Sequence, residues 1–119
     1  MSSKRLTIFA AAAALLAPAA AIAHHGWNGQ EGKLTVLEGP IQAVSYRDPH
    51  GEIEITAAGK RWMVTLAPIS RMQARGLTEA ALKPGQTVWI SGRRNSDLAK
   101  NEIKAESIRV AGKTTNLLR

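Results

Sequence analysis

Three histidines are the residues of this sequence best suited to hold a metal ion: His24, His25 and His50. The first two follow Ala21-Ile22-Ala23, a small-x-small pattern at which export signals are cleaved. Cleavage there would leave His24 as the first residue, with an α-amine and a ring nitrogen that could chelate one ion. Amine and imidazole nitrogens suit Cu(II), which tops the affinity order of divalent metals.

His50 follows Pro49 in a short loop and would supply a third imidazole if the start of the chain folded back. We therefore predict a site for copper or another transition metal formed by His24, His25 and His50. The alternative is a mobile polar terminus and a loop histidine that hydrogen-bonds its own loop.

A second candidate site combines aromatic and basic side chains: Trp62, Trp89, Arg93 and Arg94. Exposed aromatic rings among basic residues on a small barrel form a stacking surface for ligands. Such a surface would bind an anionic glycan, peptide or protein, and for an exported protein we do not expect nucleic acid. The alternative is that Trp62 packs in the core and Trp89 covers one end of the barrel.

The sequence shows no pattern that is typical of an enzyme active site. It has no cysteine, no phosphate-binding loop and no ordered serine, histidine and aspartate. Asp48 precedes a proline and most simply caps a turn. Glu52 and Glu54 alternate on one strand and read as solvated surface. We predict a protein without catalytic activity, and copper is the one cofactor that the sequence suggests.

Residues 1–23 read as a secretory signal peptide. Lys4 and Arg5 precede an apolar run over residues 6–16, which is shorter than the roughly 20 residues of a membrane span. We expect a periplasmic or secreted protein with no transmembrane segment in its mature form, and no cysteine is present for a disulfide. The net charge is +7, which favours anionic partners, among them envelope proteins.

Five segments with strand character follow a flexible leader over residues 24–32. They cover residues 34–46, 52–57, 61–66, 87–91 and 102–110. We expect Gly39-Pro40 to interrupt the first strand with a bulge, and the change of phase near Ser107 to mark a second bulge. Between the third and fourth segments, Pro68 suits a first helical position and Gly76 the residue after a helix.

This order of three strands, a short helix and two strands is that of an OB-type barrel. The sequence therefore predicts a mostly β fold, a five-stranded OB-like barrel over residues 33–110, followed by a loose C-terminal tail over residues 111–119. An open five-stranded sandwich is the competing architecture. Strand alternation predicts an inward-facing set: Val36, Ile41, Val44, Ile53, Ile55, Val64, Leu66, Val88, Ile90, Ile103 and Ile108.

Several short motifs together resemble a known family. They are the His-His pair after the signal, Asp48-Pro49-His50, Trp62, Arg71, Arg75-Gly76-Leu77-Thr78, Leu82-Lys83-Pro84-Gly85 and Ser91-Gly92. The chain resembles small exported bacterial proteins catalogued as a domain of unknown function, the DUF6152 type. Asp48 stands where that family usually has asparagine, and Leu77 where it usually has tryptophan. The resemblance implies export and the fold, and supplies no activity.

The sequence thus predicts an exported, non-enzymatic binding domain. Transition-metal binding at the three histidines is the first hypothesis. Binding of an anionic glycan, peptide or protein through the basic and aromatic side chains is the alternative, and a purely structural accessory domain is the third.

Overall fold

The computed structural model describes residues 33–119, which form six strands and two short helices. The elements are β1 (Leu34–Arg47), β2 (His50–Ala57), β3 (Lys60–Thr65), α1 (Ile69–Ala74), a 3-10 helix (Glu79–Ala81), β4 (Thr87–Arg94), β5 (Glu102–Val110) and β6 (Lys113–Asn116). Within these residues, no helix has the length and apolar character needed to cross a membrane. The signal and leader predicted for residues 1–32 lie outside the described residues.

The first five strands close into a barrel. Their order is β3-β2-β1-β4-β5, and a parallel pairing of β3 with β5 joins the two ends. This closure confirms the OB-like barrel and excludes the open sandwich. Closing a sheet on itself satisfies the backbone groups that an open edge would leave unpaired.

β1 is long because it pairs with two neighbouring strands. Its first half pairs with β4 from Leu34 to Pro40, and its second half pairs with β2 from Ile41 to Arg47. The register with β2 slips at Gln42, so the bulge lies there and not at Gly39-Pro40. Gly39 has another role, because a Cβ on it would lie 1.7 Å from the Thr56 carbonyl oxygen.

The position of that bulge corrects one predicted core residue. Before Gln42 the inward residues of β1 are the odd-numbered ones, including Leu37 and Ile41, and after it they are even-numbered, beginning with Val44. Val36 therefore faces outward and is 55% exposed. The other ten predicted core residues are buried, except Val44, which is half-buried against the core.

The predicted helix is confirmed. Pro68 occupies the N-cap of α1, and Gly76 follows its C-cap with a φ of 82°. Met72 is fully buried over Gly51, where an added Cβ would lie 2.7 Å from its sulfur. The small residue on β2 thus lets the helix pack close to the barrel.

The C-terminal residues are not the loose tail that the sequence predicted. β6 pairs with β5, and Leu117 is only 2% exposed. Ala111 and Gly112 turn the chain with φ values of 52° and 78°, nearly the same as Ala58 and Gly59 in the β2–β3 hairpin. The repeated Ala-Gly-Lys sequence was the signal for this hairpin.

Two arginines of the α1 region bind the end of β6 and the residues that follow it. Arg71 Nη1 donates to the Leu117 carbonyl at 3.0 Å, and Arg75 Nη1 donates to the carbonyls of Asn116 and Leu118. These bonds satisfy carbonyl groups at the chain end that would otherwise need water. The segment is therefore an integral part of the fold.

Candidate functional site

Trp62 lies inside the barrel. Its side chain is 5% exposed, and its indole Nε1 donates to the Ala57 carbonyl oxygen at 3.3 Å. The Arg94 guanidinium carbon lies 4.9 Å from the ring centroid, a cation–π distance. Trp62 is thus a core residue, and a ligand on the barrel surface has no access to stack on it.

Arg94 is the last residue of β4 and is held by the loop that follows it. Its Nη2 donates to the carbonyl oxygens of Leu98 and Lys100, each at 3.3 Å. Its Nε is buried without a hydrogen-bond partner among residues 33–119. Arg94 therefore ties the β4–β5 loop to Trp62, and its contacts are those of a structural residue.

Trp89 points to the opposite side of the barrel wall. Val88 and Ile90 face the core, so the half-buried Trp89 between them faces outward, as predicted. In the sheet it lies between Glu38 of β1 and Arg109 of β5. The Arg109 guanidinium carbon is 5.2 Å from the indole centroid. Arg109 was not among the predicted site residues, although its place between the inward-facing Ile108 and Val110 of β5 marked it as outward-facing.

Arg93 faces outward on β4, as Trp89 does, and lies four residues further along the strand. Its Nε lies 3.2 Å from the Glu106 carboxylate, so its charge is partly neutralised. The other ion pair found within residues 33–119 joins Arg61 to Glu54 at 3.6 Å. Neither pair includes Arg109, whose planar donors are suited to bind a carboxylate through two hydrogen bonds.

Two exposed apolar side chains flank these residues. Val36 is opposite Ser91 and Leu34 is opposite Arg93 in the pairing of β1 with β4, and they are 55% and 47% exposed. We call the surface formed by Leu34, Val36, Glu38, Trp89, Arg93 and Arg109 the Trp89 face. Tryptophan and arginine around apolar side chains are typical of the centre of protein interfaces.

The opposite side of the barrel has different chemistry. The outward residues of β1, β2 and β3 there line a shallow groove that includes Ala43, Ser45, Glu52, Glu54 and Met63. Glu52 and Glu54 line this groove, and the nearest described ion pair neutralises only Glu54 in part through Arg61, so the groove is less suited to an anion than the Trp89 face. The four residues predicted to form one ligand surface are divided between two places. Half-buried Arg94 covers the buried Trp62, whereas Trp89 and Arg93 lie together on the outside.

The predicted metal ligands are described only in part. His50 is exposed and begins β2, directly opposite Arg47 at the end of β1. His24 and His25 lie outside the described residues. Within residues 33–119, no group of three or more histidine, cysteine, aspartate or glutamate residues is placed to hold a metal ion.

The length of β1 limits how a three-histidine site could form. The chain enters β1 at Leu34, and His50 lies at the far end of the strand. The strand path is about 44 Å long at roughly 3.4 Å per residue. The segment from His25 to Lys33 spans at most about 29 Å. Joining these histidines in one molecule therefore requires a nearly extended leader and a direct distance from Leu34 to His50 well below the length of the strand path.

Comparisons with known proteins support the fold. No family model matches the chain, and no curated protein matches it. Among solved structures, it is similar to the S. pombe Stn1-ten1 complex, with a TM-score of 0.53, 18% identity and coverage of 67% of this chain and 59% of the other. It is also similar to a complex of TiaS with tRNA and ATP, with a TM-score of 0.51, 18% identity and coverage of 80% and 21%. The chain thus spans less than two thirds of either matched chain.

Proposed function

We propose that this protein is an exported, non-enzymatic binding domain that holds an acidic protein segment on the Trp89 face. The observation that carries the proposal is the outward-facing Trp89 beneath Arg109, a guanidinium outside the ion pairs found in residues 33–119. A carboxylate of the partner would bind the edge of that guanidinium, since stacking on the indole leaves its N–H groups available.

The shape of the face favours a protein over a small molecule. Small ligands bind concave pockets that bury most of their surface. Leu34 and Val36 instead extend the surface beside Trp89 along the outward side of β1. A partner can cover this apolar strip while its acidic groups reach Arg109 at the border. An anionic glycan would use the arginine and leave the strip exposed.

The test is a binding titration with a fluorescent peptide that alternates glutamate and leucine. Trp89→Ala and Arg109→Gln should each weaken binding by about 10-fold or more, the loss of roughly 1.4 kcal/mol. Arg61→Gln is the matched control, because Arg61 is an exposed arginine on another strand, and it should bind as the wild type does. Added salt should weaken the wild type more than Arg109→Gln.

Two results would contradict the proposal. Binding that is unchanged in Trp89→Ala would place the site elsewhere. A sulfated glycan that binds this face while the acidic peptide does not would assign it to a different ligand class.

Copper binding is a second candidate function, favoured by the exposure of His50 and by the His-His pair at the predicted cleavage site. We propose that the His24 amine and imidazole hold the ion with His25, and that His50 joins them if the leader reaches along β1. The amine and imidazole of the His24 terminus must lose protons to bind, and free groups of these types have pKa values near 8 and about 6.5. Binding should therefore weaken as the pH falls through that range.

Copper titration of protein that begins at His24 tests this candidate. One equivalent should bind, and an extra residue before His24 should weaken binding. A rise in melting temperature that His50→Ala removes would support the three-histidine site. Affinity no greater than that of a His-His-Gly-Trp peptide, together with no effect of His50→Ala, would contradict any contribution from the barrel.

A further inference from the structure

The first half of β1 has an edge that no strand covers within residues 33–119. The Ile41 N–H donates to the Gln86 carbonyl at 2.8 Å, which extends the pairing of β1 with β4 by one residue. Backbone groups alternate in direction along an antiparallel strand. The odd-numbered residues of this half therefore bond to β4, and the N–H and C=O groups of Leu34, Val36 and Glu38 point away from it.

β2 does not pair with this part of the edge, because its pairing with β1 begins at Ile41 and its Thr56 carbonyl lies against Gly39, beyond the three edge residues. Pro40 ends the edge, since an even-numbered proline lacks the N–H that would point outward. Proteins usually protect such edges with charges, prolines or covering loops. Here two of the three edge residues, Leu34 and Val36, carry exposed apolar side chains, which makes the edge a template for another strand.

We propose that a second copy of this chain pairs with this edge, β1 against β1, antiparallel and related by a two-fold axis at Val36. Val36 then lies opposite Val36 of the partner subunit, and Leu34 lies opposite Glu38 of the partner subunit. All three edge residues become hydrogen-bonded, which makes about six backbone hydrogen bonds across the axis. The edge is self-complementary in this register, because donors meet acceptors, the exposed valines meet and no like charges are opposed.

The contact is small, so the dimer is weak and reversible. A pairing of five residues buries well under the roughly 1,200 Å² of a stable interface. The pairing would join two β1–β4–β5–β6 sheets into one continuous sheet and place two Trp89 faces on it. The dimer does not depend on what the Trp89 face binds.

Cysteine cross-linking tests the pairing and its register, since the sequence contains no cysteine. Hydrogen-bonded antiparallel residues have Cα atoms about 5.5 Å apart, within the range that a disulfide bridges. The full exported protein carrying Val36→Cys should form a covalent dimer in a glutathione redox buffer. Leu34→Cys is the matched control on the same edge. Its two copies would lie about 14 Å apart at roughly 3.3 Å per residue, so it should remain largely uncross-linked.

Sedimentation equilibrium at increasing protein concentration is the second test of the pairing. The wild type should move from monomer toward dimer, and Val36→Pro should remain monomeric, because proline removes an outward N–H and no bond to β4. Val36→Thr keeps the N–H and should associate like the wild type. A monomeric wild type at all concentrations, dimerisation of Val36→Pro, or equal cross-linking of the two cysteine variants would overturn the proposal.

Discussion

The barrel wall separates two pairs of the same composition. The guanidinium carbon of half-buried Arg94 lies 4.9 Å from the ring centroid of Trp62 in the core, and that of Arg109 lies 5.2 Å from the ring centroid of Trp89 on the outside. The inner indole donates to a backbone carbonyl and the inner guanidinium to two, whereas the outer pair borders exposed apolar side chains. The cation–π contact is alike in both, so its surroundings decide what each pair does.

Burial is the physical difference. An indole inside a packed core contributes its apolar surface to stability, and removing it leaves a cavity. An indole on a sheet surface contributes less to stability and keeps part of its area for a partner. The inner pair therefore fixes the loop at one end of the barrel, and the outer pair remains available for binding.

The largest expected difference in stability is between single replacements of the two tryptophans. Trp62→Ala should lower the free energy of unfolding by about 3–5 kcal/mol, as for other large core residues. Trp89→Ala should lower it by roughly 1 kcal/mol, in line with surface positions. Urea denaturation measures both, and equal losses would remove the distinction between the pairs.

The two arginines should differ by a smaller amount. Arg94→Ala should cost about 1–2 kcal/mol, because two exposed loop carbonyls lose a donor that water replaces only in part and Trp62 loses its cation–π partner. Arg109→Ala should change stability by less than about 0.5 kcal/mol. Arg94→Lys should restore little, since an ammonium cannot reproduce the planar guanidinium. Full rescue by lysine in the same denaturation experiment would mean that charge alone holds the loop.

Tyr46 is another partly buried polar group, and we expect its replacement to have the smallest effect on stability. Its hydroxyl donates to the Leu77 carbonyl at 2.7 Å, and burial, followed by the nearby Glu79 carboxylate, raises its pKa above 10.0. The folded chain therefore keeps this proton to higher pH than the unfolded chain, and the associated stability is lost as the pH rises above 10.

Melting curves from pH 9 to 11 check that expectation. Tyr46→Phe should cost about 0.5–1.5 kcal/mol at neutral pH through loss of the hydrogen bond. It should also flatten the decline above pH 10 relative to the wild type. Parallel declines for the two proteins would contradict a contribution of Tyr46, the sole tyrosine of the chain, to the alkaline loss of stability.

Most of the barrel followed from local patterns in the sequence. Alternating apolar residues identified β2 through β5, and Pro68 and Gly76 bounded α1. The position of a bulge was harder to predict, because it depends on which neighbour a strand pairs with. β1 changes its pairing partner at Ile41, and at Gln42 the inward-facing residues change from odd-numbered to even-numbered. Val36 precedes this change and therefore faces outward.

The site was predictable only in part, for a related reason. The alternation of apolar residues along β4 separated Trp89 from its inward-facing neighbours. It could not show that Arg94 contacts Trp62, because that contact forms only when β3 closes the barrel against β5. Arg109 became visible as a site residue only when β5 was paired with β4. The short β6 was missed because its residues 114–116 show no apolar alternation.

One spectrum tests the central distinction most directly. The indole N–H signals of Trp62 and Trp89 can be assigned with Trp62→Phe and Trp89→Phe and followed by NMR as the glutamate–leucine peptide is added. We predict that the Trp89 signal shifts while the Trp62 signal, from a buried N–H bonded to the Ala57 carbonyl, stays in place. A Trp62 signal that shifts with the peptide while Trp89 does not would contradict the account.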